Sequence, residues 1–325
     1  MKPKAFISCP DMILAEVFLQ LEKLLDLVWG GCNLGQQAVL NNLRDALIWI
    51  VGGNEKITVE LLKKSKIRFI VYIGEQLSTA YGPGAEEFCK TNRICVLTTG
   101  GGREAVALSV IEEMLAHKRR QQSRIMRSFK SPPGARKILQ SDKIVVVGAG
   151  GIGSLILKLL RDKCGCTNLW YAGGRGSKPE LEKEGYRYIS SLLDAFRADI
   201  VSVHLTYIPG VTEKIIGLDE LSNLRRYGLF LNYARAWLVN PDGLLKFLLK
   251  RRDARAIFDP FYVEGAELGS LRNMHDPLSE ILRAILRRKL NFESRGHTAI
   301  YRDEAYLQYG ISLLQILSQI LQELR

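Results

Sequence analysis

Residues 143–160 read KIVVVGAGGIGSLILKLL. Four β-branched residues, Ile144 to Val147, make a short apolar run closed by glycine, which predicts a buried strand. Gly148-Ala149-Gly150-Gly151-Ile152-Gly153 follows at once, and residues 154–160 resume with helical spacing. Strand, glycine turn and helix in that order suit a dinucleotide. Gly148 permits the tight turn, Gly150 lets the backbone approach a pyrophosphate, and Gly153 lets the helix close on the strand. Gly151 and Ile152 open the helix, whose free N–H groups then face the phosphates.

The next strand runs into NLWYAGGRGSK, residues 168–178. An NAD site carries an acidic residue here for the ribose 2′-hydroxyl. This stretch has none. Gly173 and Gly174 stand in its place, followed by Arg175, Ser177 and Lys178, which attract a 2′-phosphate that a carboxylate would repel. NADP is therefore the expected cofactor, with NAD as the alternative if Arg175 and Lys178 form only a solvated loop.

Strands and helices alternate on both sides of this motif. Upstream, ALIWIVGG, IRFIVYIG and RICVLTT read as strands separated by TVELLKKSK, with Thr58 as N-cap, and AEEFCKTN. Residues 12–29, MILAEVFLQLEKLLDLVW, carry apolar residues at helical spacing throughout. A long helix is expected from about 103 to 122 and an amphipathic one at the C-terminus. Alternation of this kind implies parallel sheets. The expected fold is α/β with two doubly wound, Rossmann-like parallel-sheet domains and an active site in the cleft between them. A flavodoxin-like substrate domain would comprise 1–102 with 298–325, and a dinucleotide-binding domain 103–297.

The 325 residues are 47% hydrophobic and 25% charged, ordinary for a globular chain, with a formal charge of +12 that suits anionic partners. The N-terminus lacks the uninterrupted apolar core of a signal peptide, and no apolar run reaches membrane-spanning length, so a cytoplasmic protein without membrane contact is expected. The six cysteines are scattered and read as small buried hydrophobes, with no metal site expected. The run HKRRQQSRIMRSFKSPPGARK, 117–137, has no acidic residue. One aromatic and a Ser-Pro-Pro-Gly ending favour a solvated helix end and linker over nucleic-acid binding.

One residue resists that bland pattern. In LFLNYARAWLVN, 229–240, Arg235 sits inside an apolar strand and its exit. Burying a guanidinium unpaired is costly. It either forms a structural ion pair or ends the strand where a ligand binds.

In the second half, VVVGAGGIGS, ADIVSVHLTYIPGVTEKIIG (198–217), LFLNYARAWLVNPDGLLKFL (229–248), AIFDPFYVEG (256–265) and ESRGHTAIYRDEA (293–305) occur in order. Together they resemble the D-isomer-specific 2-hydroxyacid dehydrogenase family over roughly residues 98–310. The resemblance implies a hydride transfer between a nicotinamide cofactor and a 2-keto or 2-hydroxy acid, with glyoxylate or hydroxypyruvate reduction as the leading form. An NAD-dependent phosphoglycerate dehydrogenase-like enzyme and a non-catalytic dinucleotide sensor are the alternatives. By the family pattern Arg235 binds substrate, His297 holds the proton and Glu264 pairs with that histidine. A carboxylate on the second ring nitrogen raises a histidine's pKa and suits it to that task. The resemblance further implies cofactor contacts from His204, Ala234 and Asp259, substrate contacts from Gly74 and Glu75, and a homodimer packed through the long helix after Gly102. Thr206, Ala236 and Gly296 depart from the family's usual residues. LRAILRRK (282–289) reads as an inserted basic surface helix. Glu75 puts a carboxylate beside the expected anionic substrate.

Overall fold

The computed structural model describes residues 2–30, 34–52, 55–74, 77, 80–126, 139–174, 176–263, 269–271, 273–287, 290–296, 298–299 and 303–324, with the backbone alone at 11, 122–126 and 303–305. The chain divides into two compact units, Met1–Ala105 with Tyr301–Arg325, and Val106–Ile300. A helix, Gly102–Met126, runs through the first of these divisions.

The first unit holds strands β1 (Lys4–Ile7), β2 (Asp26–Trp29), β3 (Ile48–Gly52), β4 (Phe69–Ile73) and β5 (Cys95–Thr98), in the order β2-β1-β3-β4-β5. All its pairings are parallel. This is one of the two common doubly wound orders. Its helices are α1 (Ala15–Leu24), α2 (Gln36–Leu43), α3 (Val59–Lys63), α4 (Ala85–Thr91) and the start of α5 (Gly102–Met126). The Thr58 hydroxyl caps α3 by accepting from the Leu61 N–H at 3.3 Å. Alternate strand residues feed two cores. Ala5, Ile7, Ile50 and Val71 pack with α1 and the C-terminal helix, whereas Phe6, Trp49, Val51 and Ile70 pack with Val39, Leu61 and Ala85.

Residues 12–29 do not form one helix. Leu25 is extended, at φ −125° and ψ 155°, and residues 26–29 pair with β1 as an edge strand. Apolar residues at 21, 24, 25, 27 and 28 satisfy a helical stripe and a short strand equally, so periodicity alone continues the helix too far.

The second unit holds β6 (Ile144–Val147), β7 (Leu169–Ala172), β8 (Arg187–Ile189), β9 (Ile200–Val203), β10 (Leu229–Asn232), β11 (Arg255–Phe258) and β12 (Phe292–Ser294). Their order, β12-β11-β10-β9-β6-β7-β8, is the dinucleotide-binding order with one added edge strand. Helices α6 (Gly151–Asp162), α7 (Pro179–Lys183), α8 (Leu192–Ala195), α9 (Leu218–Ser222), α10 (Pro241–Lys250) and α11 (Pro277–Arg287) connect the strands, and α12 (Asp303–Glu323) returns to the first unit. Val145, Val147, Phe230 and Phe258 enter one core; Ile144, Val146, Leu231 and Ile257 enter the other. Burial on both faces explains why these strands read as continuous apolar runs.

The segment 282–287 is not a purely surface helix. It ends α11, and Leu282 and Ile285 lie in the first of those cores. The basic run after residue 117 is only partly solvated as well. His117 is buried, and Lys118 pairs with Asp142 at 2.7 Å with both side chains largely covered. Residues 127–138 lie outside the described residues. Of the described cysteines, Cys9, Cys89 and Cys166 are buried, but Cys95 is exposed, against expectation. Among the described residues no helix is long and apolar enough to cross a membrane.

Two outcomes follow from this packing. A Cβ on Gly153 would stand 2.2 Å from the Gly148 carbonyl oxygen, a backbone atom that cannot swing aside. Gly153→Ala is expected to destabilise the fold by about 1–3 kcal/mol, read as a lower urea midpoint at unchanged m-value. Burial, against the opposing pull of the Tyr227 carbonyl, pushes the His117 imidazole from 6.5 down to about 4. Between those values the unfolded chain binds the extra proton, so stability must fall as pH drops from 6.5 towards 4. The contribution is up to about 1.4 kcal/mol per pH unit. His117→Gln should flatten that part of the stability–pH curve; an unchanged slope would place the proton uptake elsewhere.

Candidate active site

The glycine turn is built as its sequence requires. Gly148 adopts φ +97°, and a Cβ there would meet His204 and Leu205 backbone atoms at 2.7–2.8 Å. The chain closes this turn by hydrogen bonds from the Gly148 N–H to the Ala172 carbonyl at 2.8 Å and from the His204 N–H to the Val147 carbonyl at 2.7 Å. Gly148 therefore sits between the ends of β7 and β9, on either side of β6, where the strand order reverses. That point is where open α/β sheets take their ligands. Gly150 is the N-cap of α6, and a side chain there would meet open space. Gly151 and Ile152 begin the helix, whose first N–H groups have no acceptor within it. Open space in front of Gly150 and a helix N-terminus behind it fit a pyrophosphate.

After β7 the chain turns through Gly173 (φ +73°), Gly174 (φ +79°) and Gly176 (φ +102°). No carboxylate occurs between Ala172 and Pro179. Ser177 is exposed, and Arg175 lies outside the described residues. Lys178 folds back onto the glycine turn. Its amine donates to the Ala149 carbonyl at 2.7 Å, while its backbone N–H donates to the Tyr171 hydroxyl at 2.7 Å. The cation is thus held at the turn itself.

His204 follows β9. Its Nε2 lies 2.8 Å from the Ser202 hydroxyl, two residues back on the same side of the strand. Burial pushes the imidazole down to about 3, so the ring is neutral at physiological pH. Its Nδ1 is shut off from solvent with no hydrogen-bond partner among the described residues.

Two side chains organise the ends of β10 and β11: Asn232, which the sequence reading passed over, and Asp259, which it expected at the cofactor. Asn232 is fully buried. Its Oδ1 accepts from the Ala234 N–H at 3.1 Å, and its Nδ2 donates to the Arg235 carbonyl at 3.1 Å. An Asx-type turn of this kind fixes the three residues that follow the strand. Arg235, partly buried and extended at φ −106°, ψ 137°, precedes a short 3-10 turn, Ala236–Leu238. The asparagine at a strand end before a turn was the available signal. Asp259, buried, follows β11. Its backbone N–H donates to the Asn232 carbonyl at 3.0 Å, and its Oδ1 accepts from the N–H groups of Thr298 and Ala299 at 3.0 and 3.1 Å. The Asp259 carboxylate therefore holds the backbone immediately after residue 297.

Glu264 and His297 themselves, with Glu75, lie outside the described residues. Gly74 belongs to the first unit. It follows β4 at φ +137°, and its N–H donates to the buried Thr99 hydroxyl at 3.1 Å. Of the remaining histidines, His117 is buried against the Tyr227 carbonyl and His275 is exposed in a loop.

Comparison with known proteins gives this arrangement a context. The glyoxylate reductase of Thermococcus litoralis is 28% identical over 300 residues, 84% of this chain and 86% of its own. The D-lactate dehydrogenase of Lactiplantibacillus plantarum is 27% identical over 139 residues, 42% of this chain. That match spans only 40% of the relative's length. The structure of the pyruvate reductase of Chlamydomonas reinhardtii superposes with a TM-score of 0.72 at 17% identity, covering 99% of this chain and 97% of the other. At that identity the likeness speaks for the fold alone. Residues 105–284 match the model of the D-isomer specific 2-hydroxyacid dehydrogenase NAD binding domain. Because that match takes in more than half of the chain, from the start of α5 through the glycine turn to α11, the protein belongs to the D-isomer specific 2-hydroxyacid dehydrogenase family.

Proposed function

We propose that this protein reduces 2-keto acids to 2-hydroxy acids with a nicotinamide cofactor, NADPH in preference to NADH, and that glyoxylate, hydroxypyruvate or pyruvate lies within its substrate class. The observation that carries this reading is the hydrogen-bonded assembly of Asn232, Asp259 and residues 298–299. It ties the Arg235 turn and the backbone beside His297 to the carboxyl ends of two adjacent strands, the edge at which ligands bind in such sheets.

The chemistry needs three things from the chain. Arg235 offers a planar fork of donors that suits a carboxylate and the neighbouring carbonyl oxygen. His297 delivers the proton to that oxygen, with Glu264 holding its ring and favouring the imidazolium. The glycine turn and α6 hold the cofactor by its pyrophosphate, with Asp259 and His204 further along the same sheet edge. The nicotinamide, when bound, supplies the hydride.

The NADPH preference rests on the loop after β7. It lacks the acid that an NAD ribose uses, and the Lys178 amine stands 2.7 Å from the Ala149 carbonyl within the turn. The relatives' names include glyoxylate reductases, D-lactate dehydrogenases and a D-3-phosphoglycerate dehydrogenase, which supports the substrate class more than any single acid. A homodimer and a cytoplasmic setting go with the same reading.

Loss of nicotinamide absorbance measures the reaction directly. With glyoxylate, hydroxypyruvate and pyruvate, at least one should be turned over. Arg235→Gln should lower kcat/KM by about 10²–10⁴-fold, the worth of two charge-assisted hydrogen bonds. His297→Ala should lower kcat by about 10²–10⁴-fold. Absence of turnover with every acid and both cofactors would reject the reductase. Lys178→Ala should shift the ratio of kcat/KM for NADPH over NADH downward by about tenfold or more. An equal loss with both cofactors would instead assign Lys178 to holding the turn.

A further inference from the structure

The formal charge is not spread evenly over the chain. Outside residues 106–300 there are 14 lysines and arginines and 14 aspartates and glutamates. The whole excess of +12 therefore lies in the second unit, where 32 cations stand against 20 carboxylates. Part of that excess is gathered along one line. The strands of this unit are parallel, so their amino ends share one edge of the sheet, opposite the edge that carries the glycine turn. Arg187 opens β8, Lys143 precedes β6, Arg197 leads into β9, Arg225 and Arg226 into β10, and Arg252 into β11. In the strand order these entries make a row across five strand spacings, about 24 Å.

All of these side chains are exposed except that of Lys143, which is half-buried. Arg197 and Arg225 are matched by Asp194 and Asp199, at 3.3 and 2.9 Å. Lys143, Arg187 and Arg226 form no ion pair among the described residues and lie over rings instead. Lys143 and Arg187 stand 5.0 and 5.1 Å from the centroid of Trp170, and Arg226 stands 4.8 Å from that of Tyr227. Burial first, and then the Arg225 guanidinium, hold the Lys143 amine below its ordinary value, and Asp194 and Asp199 oppose this only in part. A cation crowded in this way gains from an anion brought beside it.

The planar forks of the arginines suit carboxylate and phosphate alike. The rings favour one partner over the other. Single-stranded nucleic acid draws much of its affinity from bases stacked on aromatic faces. Here the chain's own cations already lie over Trp170 and Tyr227. An extended peptide needs no such face. Its side chains alternate, at about 3.4 Å per residue, so acids at every second position present a line of carboxylates.

We infer that the amino edge of the second unit's sheet is a docking surface for an acidic, extended segment of a partner protein. The surface is independent of the keto acid chemistry proposed above, which uses the opposite edge.

Calorimetric titration of the full chain with a synthetic peptide of alternating glutamate and glycine, about ten residues long, tests this. Saturable binding that weakens as salt is raised is expected. Arg187→Gln with Arg226→Gln should weaken it about fivefold. Lys64→Gln with Lys66→Gln removes the same charge from exposed sites of the first unit and should weaken it less than about twofold. Saturating NADPH should leave the affinity unchanged. A second readout needs no variant of the row. The Trp170 indole N–H, which donates to Asn168 at 2.7 Å, should shift its resonance on titration, while that of the buried Trp49 stays in place. Oligothymidylate of equal charge should bind more weakly than the peptide. No saturable binding, equal losses in the two double variants, displacement of the peptide by NADPH, an unmoved Trp170 resonance or tighter binding of oligothymidylate would each overturn the proposal.

Discussion

At the end of β6 three backbone segments pass within a single atom's width of one another. Gly148 lies against His204 and Leu205, and Gly153 lies against Gly148. No side chain of any kind fits in either gap. Removing two Cβ atoms brings the helix N-terminus, the strand end and the neighbouring strand's exit to one point. Everything else in the second unit is arranged around that approach. The strand order reverses there, the Lys178 amine reaches there, and the His204 ring begins there. The cost is borne by conformational freedom that glycine loses on folding, and the two apolar cores on either face supply the compensation.

The polar side chains near that edge serve the backbone as much as any ligand. Asp259 is buried beside the strand ends, and one of its oxygens accepts from two backbone N–H groups. Asn232, buried completely, replaces two turn hydrogen bonds with side-chain ones. Neither would be stable in the middle of β10 or β11. Asn232 is the last residue of β10 and Asp259 the first after β11, where the sheet leaves backbone groups to be satisfied.

Much of this was legible before any coordinates. The glycine turn, the alternation of strand and helix and the missing acid after β7 are local patterns, each set by what one or two backbone dihedrals or one charge allow. Arg235 stood out because a guanidinium contradicts its apolar neighbours. β2 was not legible, since Leu27 and Val28 continue the stripe of α1 and the break depends on pairing with β1. The role of Asn232 depends on the path of the turn, and that of Ser202 on which way His204 leaves the strand. The segment 282–289 was legible as a helix, but not that its described part ends the longer α11 or that Leu282 and Ile285 are buried, which only their packing shows.

The first unit is closed by a helix from the far end of the chain. Ala5, Ile7, Ile50 and Val71 share their core with Tyr309, Leu313, Leu317 and Ile320, and Gly310 leaves room for Val17 between α12 and α1. During synthesis the ribosome delivers β1 to β5 long before it delivers those partners. The sheet must then wait with one apolar face uncovered while some two hundred residues of the second unit emerge. Domains ordinarily mature in the order of translation. Here the order inverts: the later unit is contiguous and can complete itself first, and the earlier one is sealed only by α12, which is made after it. Its unfinished face is the part of this chain that a chaperone would meet.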